Sequence, residues 1–134
     1  MTAGDYQTLL EGAWVTIWIS VIAIAGGIPL GLLLGLARIS KVPVISQLVT
    51  VYISIGRATP LVTLVLFIFI GLPVLGISID RYTASVLTLL LNTACFNAEI
   101  WRSVYQAFPR SQIEAAKAVG MTRPQYFRRI MFPQ

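Results

Sequence analysis

From residue 12 to residue 37 every position is uncharged and most are apolar. As a helix rising about 1.5 Å per residue, such a run reaches about 39 Å, more than a hydrocarbon core of about 30 Å. It predicts a membrane span with room to tilt. Uncharged stretches recur at 42–56, 58–79 and 82–98, separated by Arg57 and by Asp80-Arg81. The first of these is short for a crossing and carries Pro43 at its start, a helix-initiating position. It is expected to lie partly at the cytoplasmic interface and to lead into the stretch after Arg57. Pro60 opens that stretch, and Gly71 with Pro73 predicts that its helix ends or bends there. The pattern therefore predicts an all-α, polytopic membrane protein with three spans at about 12–37, 58–79 and 82–101, in a single domain over 1–134.

Charge placement orients these spans. Beyond residue 101 stand Arg102, Arg110, Lys117, Arg123, Arg128 and Arg129, opposed only by Glu114, and the loop after the first span carries Arg38 and Lys41. Basic loops stay cytoplasmic, so the N-terminus, with Asp5 and Glu11, and the Asp80-Arg81 turn are expected outside. The N-terminus lacks the basic start of a secretory signal and reads as a retained anchor. The net charge of +5 is thus read as orientation, with no nucleic-acid partner implied. The chain has no histidine, one cysteine and no Gly-rich phosphate loop ending in Lys-Ser or Lys-Thr, which argues against hydrolytic or redox chemistry and against a metal site. Cys95 has no partner within the chain and sits in an apolar run, where it reads as a small core side chain.

Gly27, Gly31 and Gly35 recur at four-residue intervals. That spacing puts them on one helix face where another backbone can come close, a packing feature without substrate meaning. Pro29 in the same helix predicts a bend. Further on, Ser111-Gln-Ile-Glu114 has the form of a capping box, predicting a helix start at Ser111, and Gly120 is the residue suited to end that helix. Thr122-Arg-Pro-Gln125 repeats the capping pattern for a second helix. The result is a helix, a glycine turn and a helix over about 103–134. Ala115, Ala116 and Ala118 keep the first helix narrow for a partner. Tyr126, Phe127, Ile130 and Met131 form an apolar stripe on the second, edged by Arg123, Arg128 and Arg129.

The run Glu114-Ala115-Ala116, then Gly120, Ile130 and Pro133-Gln134, resembles the cytoplasmic loop signature of permease subunits of bacterial binding-protein-dependent ATP-binding-cassette importers. Arg57-Ala-Thr-Pro-Leu61, Gly71-Leu-Pro73 and Ala98-Glu99-Ile100 followed by Arg102 are similar to the polar amino acid branch. Ser111, Ala58 and Phe132 depart from that branch's usual glycine, glycine and leucine. The resemblance implies an amino-acid importer's membrane subunit in the bacterial inner membrane. The helix from about 111 to 119 would be its coupling helix, with Glu114, Ala115, Ala116 and Gly120 at the contact with the ATPase. It implies ATP and magnesium at that separate subunit and no cofactor on this chain. Further implied partners are a second permease copy or a homologous permease, an extracytoplasmic solute-binding protein and membrane lipid. Permeases of the branch usually have five spans, so the chain is expected to be an N-terminal fragment.

Single residues leave alternatives. Glu114 serves as capping residue and as partner contact at once. Arg57 reads as an interfacial snorkelling side chain or a substrate contact. Glu99 ends an apolar run and pairs with Arg102 three residues on, or lies on the substrate path. Asn92 and Asn97 are interhelical hydrogen-bonding groups or pathway residues. Two rivals to a permease are a membrane scaffold whose basic loop binds anionic lipid and an ion channel. The paired capping patterns disfavour the first, since a lipid-binding segment needs only a continuous basic amphipathic helix. No filter-like run supports the second.

Overall fold

The computed structural model describes residues 3–133. Gln134, part of the Pro133-Gln134 pair in the family resemblance, lies outside the described residues. Among the described residues the fold is all-α, without a strand. It divides into two compact units, Met1–Trp101 and Arg102–Gln134.

The first unit opens with α1 (Ala3–Ile39), 37 residues or about 55 Å. The helix starts nine residues before the charge-free run, so Asp5 and Glu11 are part of it. Pro29 sits inside α1 without ending it. By length and apolarity alone, Gly4–Ile39 is the one described helix sufficient to cross a membrane, and a bent pair forms a second such unit. That pair is α2 (Pro43–Ala58) with the segment Leu61–Val74, which comprises α3 (Leu61–Leu66), a π-helical turn (Phe67–Gly71) and α4 (Leu72–Val74). The axis turns by 107° between them. The cause is local. The Thr59 amide and hydroxyl both donate to the Ile55 carbonyl, at 2.9 and 2.8 Å, closing α2. Pro60 then holds Thr59 in an extended conformation, at φ −81° and ψ 123°.

The helix after the bend ends at Val74, one residue past Pro73, as Gly71 and Pro73 predicted. The turn before Pro73 widens to π geometry, which accommodates a residue with no amide to donate and a ring that crowds the preceding turn. The hydrogen bonds that close the helix end come from the residues just beyond. Gly76 has φ +83°, and its amide donates to Pro73 while that of Ile77 donates to Leu72, each at 3.0 Å. This is the paired closure typical of a glycine stop.

Helix α5 (Arg81–Ala107) follows, its last residues belonging to the second unit. It is longer than the expected 82–101 span and less apolar than α1. The Asp80 carboxylate accepts from the amides of Tyr82 and Thr83 at 3.0 and 3.1 Å and from the Thr83 hydroxyl. It thereby satisfies amides that a helix start leaves orphaned. The Thr83 hydroxyl and amide, then the Tyr82 amide, hold the Asp80 carboxyl below its ordinary value of 3.8. A depressed carboxylate contributes stability that is present above its unfolded value and lost as pH falls through the folded one. We therefore expect the thermal midpoint of detergent-solubilised protein to fall as pH drops below 3.8. Asp80→Asn should reduce that acid-side slope; an unchanged slope would show that Asp80 does not set it.

In the second unit, α6 (Arg110–Ala118) is followed by α7 (Arg123–Tyr126) and a π-helical turn (Phe127–Met131). Ala116, Tyr126 and Met131 form its buried centre, with Phe108, Ile113, Met121, Phe127 and Ile130 packed around them.

Candidate functional site

The loop of the second unit is built by its turn chemistry. Helix α6 starts at Arg110 with Pro109 as its N-cap, extended at φ −60° and ψ 123°, and has no side-chain cap. The expected Ser111–Glu114 capping box is therefore corrected. Proline already supplies the extended entry to the helix, so Ser111 falls inside the first turn rather than before it. Glu114 is left exposed on the surface of α6.

At the other end the expectation holds. Gly120 has φ +78°, its amide donates to Lys117 at 2.9 Å, and the Met121 amide donates to Ala116 at 3.0 Å. Two residues later Thr122 caps α7, its amide donating to the Gln125 side chain at 2.8 Å. A stop at Gly120 followed at once by a helix start at Thr122 folds α7 back onto α6.

That fold decides which residues face outward. Ala116 retains only 3% exposure, packed in the same cluster as Tyr126 and Met131. It is therefore corrected from a partner-facing residue to a core residue: its small side chain lets the loop's own second helix approach. The apolar stripe of that helix is largely consumed in the same way. Ala115, Lys117, Ala118 and Gly120 stay exposed, and Val119 is 73% exposed. A shallow cleft of about 340 Å³ is lined by Gln112, Ala115, Val119, Met121 and Ile130, with Ala116 at its floor. Val119 was not singled out in the sequence, because the residue before a helix-ending glycine reads as structural punctuation.

In the first unit the glycine series meets α5. A Cβ at Gly27 would lie 2.7 Å from Thr93 Cγ2, one at Gly31 would lie 2.6 Å from Asn97 Cβ and 2.9 Å from the Ala94 carbonyl, and one at Gly35 would lie 3.0 Å from the Ala98 carbonyl. Ala23, one helical repeat earlier, is buried with them. Its four-residue spacing from Gly27 was a signal available in the sequence. Asn97 donates to its own helix at Thr93, 2.9 Å away, and its Cβ lies against Gly31, so the structure places it in this helix contact. Asn92 lies elsewhere on α5. It lines a cavity of about 110 Å³ under the bend, with Tyr52, Gly56, Thr59, Leu64 and Cys95 among its neighbours. Cys95 is buried, and a side chain at Gly56 would overlap its sulfur.

Glu99 binds partners that its own helix did not reveal. It forms an ion pair with Arg38 on α1 and a second with Arg57 on α2, the latter at 3.3 Å. Arg57 also stands 5.8 Å from the centre of the Phe96 ring. It is thus turned toward α5, with Glu99 and Phe96 as its neighbours. Arg102 donates to Gln106 at 2.6 Å. Arg38 and Arg57 both lie in the last turns of their helices, where the helix dipole carries partial negative charge. Two guanidiniums, one carboxylate and two helix C-termini come close to electrical balance. Beside them the Ser46 hydroxyl donates to the Arg38 carbonyl at 2.7 Å, satisfying an end group of α1 from α2.

A family profile described as "binding-protein-dependent transport system inner membrane component" matches residues 27–134. The chain is 37% identical over 127 residues to the glutamine transport system permease protein GlnP of Escherichia coli (strain K12), covering 93% of this chain and 58% of that protein. It is 38% identical to the L-cystine transport system permease protein TcyL of Bacillus subtilis (strain 168), covering 98% and 58%. Among solved structures, that of an amino acid ABC transporter with histidines superposes with a TM-score of 0.80 at 31% identity, covering all of this chain and 65% of the other. An inward-facing MetNI methionine ABC transporter gives a TM-score of 0.71 at 25% identity, with the same coverage. The chain thus spans less than two thirds of the length of these relatives. The profile covers the three glycines of α1, the ion cluster around Glu99 and the capped loop alike, and the chain belongs to the family of binding-protein-dependent transport system inner membrane components.

Proposed function

We propose that this chain contributes membrane spans and a coupling loop to the translocating subunit of an ATP-driven amino-acid importer. The observation that carries the reading is the capped loop: a helix of under three turns, stopped by Gly120 and backed by α7, with Ala115 and Val119 exposed beside the acidic Glu114. A narrow helix with one protruding apolar side chain fits a groove on a soluble partner, and its short, doubly closed turn transmits displacement without unwinding. The relatives named as glutamine, cystine and amino acid permeases support an amino-acid cargo. In this reading three spans, α1, the bent α2–α4 segment and α5, place the N-terminus outside and the basic loop in the cytoplasm. The chain itself makes and breaks no covalent bond. Two ATPase subunits, holding ATP and magnesium, bind the loop. A second permease copy or homologue completes the pathway, and a solute-binding protein delivers cargo from outside. Nucleotide drives the switch only through its differential affinity for the two states of the assembly.

The test is co-purification of the full-length permease with the ATPase encoded beside it. We expect Val119→Glu and Glu114→Lys to reduce capture at least tenfold while membrane insertion and thermal stability stay unchanged. Gly120→Val should lose capture and also lose some stability, since a β-branched residue at φ +78° is strained. Equal capture by all variants would transfer the role of this loop to lipid binding.

A further inference from the structure

At the end of the first unit opposite the ion cluster, Trp14, Val15 and Trp18 of α1 and Tyr82 of α5 line an open cleft of about 300 Å³. Trp14 is 69% exposed and Trp18 46%. Both lie inside the charge-free run that begins at Gly12, about 3 and 9 Å below its first residue along the helix. A water-soluble partner does not reach that depth, whereas indole rings are favoured at the level where acyl chains meet headgroups. Tyr82 belongs to the same level, as the first residue after the Asp80-Arg81 turn.

Arg81 adjoins this cleft through its contact with Tyr82. Its guanidinium carbon lies 5.0 Å from the centre of the Tyr82 ring, and it donates to the Tyr82 hydroxyl at 3.3 Å. The neighbouring carboxylate is occupied, because Asp80 is engaged with Thr83 and the first amides of α5. Glu99 pairs with Arg38 and Arg57, and Arg81 takes part in neither of those ion pairs. In the proposed orientation, on which this inference rests, Arg81 is the only cationic side chain on the outer side of the chain. Positive residues are disfavoured there, and the Asp80 carboxylate is directed to the start of α5, which leaves the Arg81 guanidinium open to a phosphate.

We propose that this cleft is a phospholipid site of the outer leaflet: the aromatic floor takes the upper part of an acyl chain and the Arg81 guanidinium binds the phosphate. A planar guanidinium is suited to two-point phosphate recognition, and its stacking on Tyr82 holds it in place before the lipid arrives. Since phosphate is common to all phospholipids, preference follows net headgroup charge, and phosphatidylglycerol is favoured over phosphatidylcholine.

The full-length permease carrying Trp101→Phe, with any further tryptophans beyond this chain also replaced, is reconstituted into phosphatidylcholine vesicles so that only Trp14 and Trp18 fluoresce. Brominated phosphatidylglycerol and brominated phosphatidylcholine are then compared as quenchers. We expect phosphatidylglycerol to displace phosphatidylcholine with a two- to fivefold preference, lost in Arg81→Gln and largely kept in Arg81→Lys. Equal quenching by both lipids, unchanged in Arg81→Gln, would reduce the cleft to ordinary lipid contact and overturn the proposal. Absence of quenching by either would mean that another protein element covers the cleft, and it would overturn the proposal as well. The measurement requires neither nucleotide nor ATPase, so its failure leaves the coupling reading standing.

Discussion

Glu99→Ala will destabilise the first unit more than any other single truncation of a charged side chain in this chain. Its carboxylate stands between Arg38 and Arg57, and the side chains of Glu99 and Arg38 are each only 18% exposed. Removing it leaves two guanidiniums facing one another where water solvates them poorly. Breaking a buried pair on one side typically costs about 3–5 kcal/mol. Arg57, 44% exposed, can swing toward solvent, which places the expected loss near the lower end. Against a total stability of about 5–15 kcal/mol that is a large share. The measurement is the thermal midpoint of the full-length permease in detergent, followed by fluorescence-detected size exclusion. The double variant Arg38→Ala/Glu99→Ala should lose less than the sum of the two single variants, since each deletion removes the charge that the other leaves stranded. A Glu99→Ala protein as stable as the parent, or strictly additive losses, would show that the cluster does not bind the helices together.

Gly31→Val is the second large effect. The added Cβ would stand 2.6 Å from Asn97 Cβ and 2.9 Å from the Ala94 carbonyl, separations no folded protein tolerates. One of those neighbours is backbone, which cannot rotate away, so α1 and α5 must separate along the whole ladder. Overpacking in a core costs about 1–3 kcal/mol where side chains can adjust, and here about 3 kcal/mol is expected. Gly12→Val serves as control, because nothing lies within 4 Å of its position. It should leave the thermal midpoint within a degree or two. Asn97→Gly, which removes the facing Cβ, should partly rescue Gly31→Ala. If Gly31→Val and Gly12→Val behave alike, the close contact is not what holds the two helices.

The features legible in the sequence were those whose causes are local. The charge-free run 12–37, the glycine spacing, the stop at Gly120 and the cap at Thr122 each depend on a few neighbouring residues, and each is present in the structure. The errors arose where two local signals competed or where the partner was remote. Ser111-Gln-Ile-Glu114 has the capping pattern, yet Pro109 had already set the extended entry to α6. Pro73 has the chemistry of a helix end and the helix ends one residue after it, but the widened turn before it and the closure at Gly76 were not foreseen. Ala116 looks like its neighbour Ala115, and only the return of α7 distinguishes a buried alanine from an exposed one. For Glu99 the sequence offered Arg102 on the same helix face and no sign of two further, remote partners. Its partners Arg38 and Arg57 sit on two other helices, and no spacing rule connects them.

The glycine ladder also has a consequence for how the chain enters the membrane. Helix α1 is apolar enough to be released into lipid unaided, whereas α5 carries Asn92, Asn97, Glu99 and Arg102 within its length. An unpaired carboxylate at the end of an apolar segment is costly for that segment alone. The groove left by Gly27, Gly31 and Gly35, with Arg38 at its lower end, offers α5 a docking track that accepts its backbone and neutralises its acid. The order of synthesis, α1 first, therefore matches the order of need. In the proposed three-span reading α1 would act as an intramolecular insertion chaperone for α5, and a ladder variant is expected to show itself first as α5 failing to integrate during biogenesis.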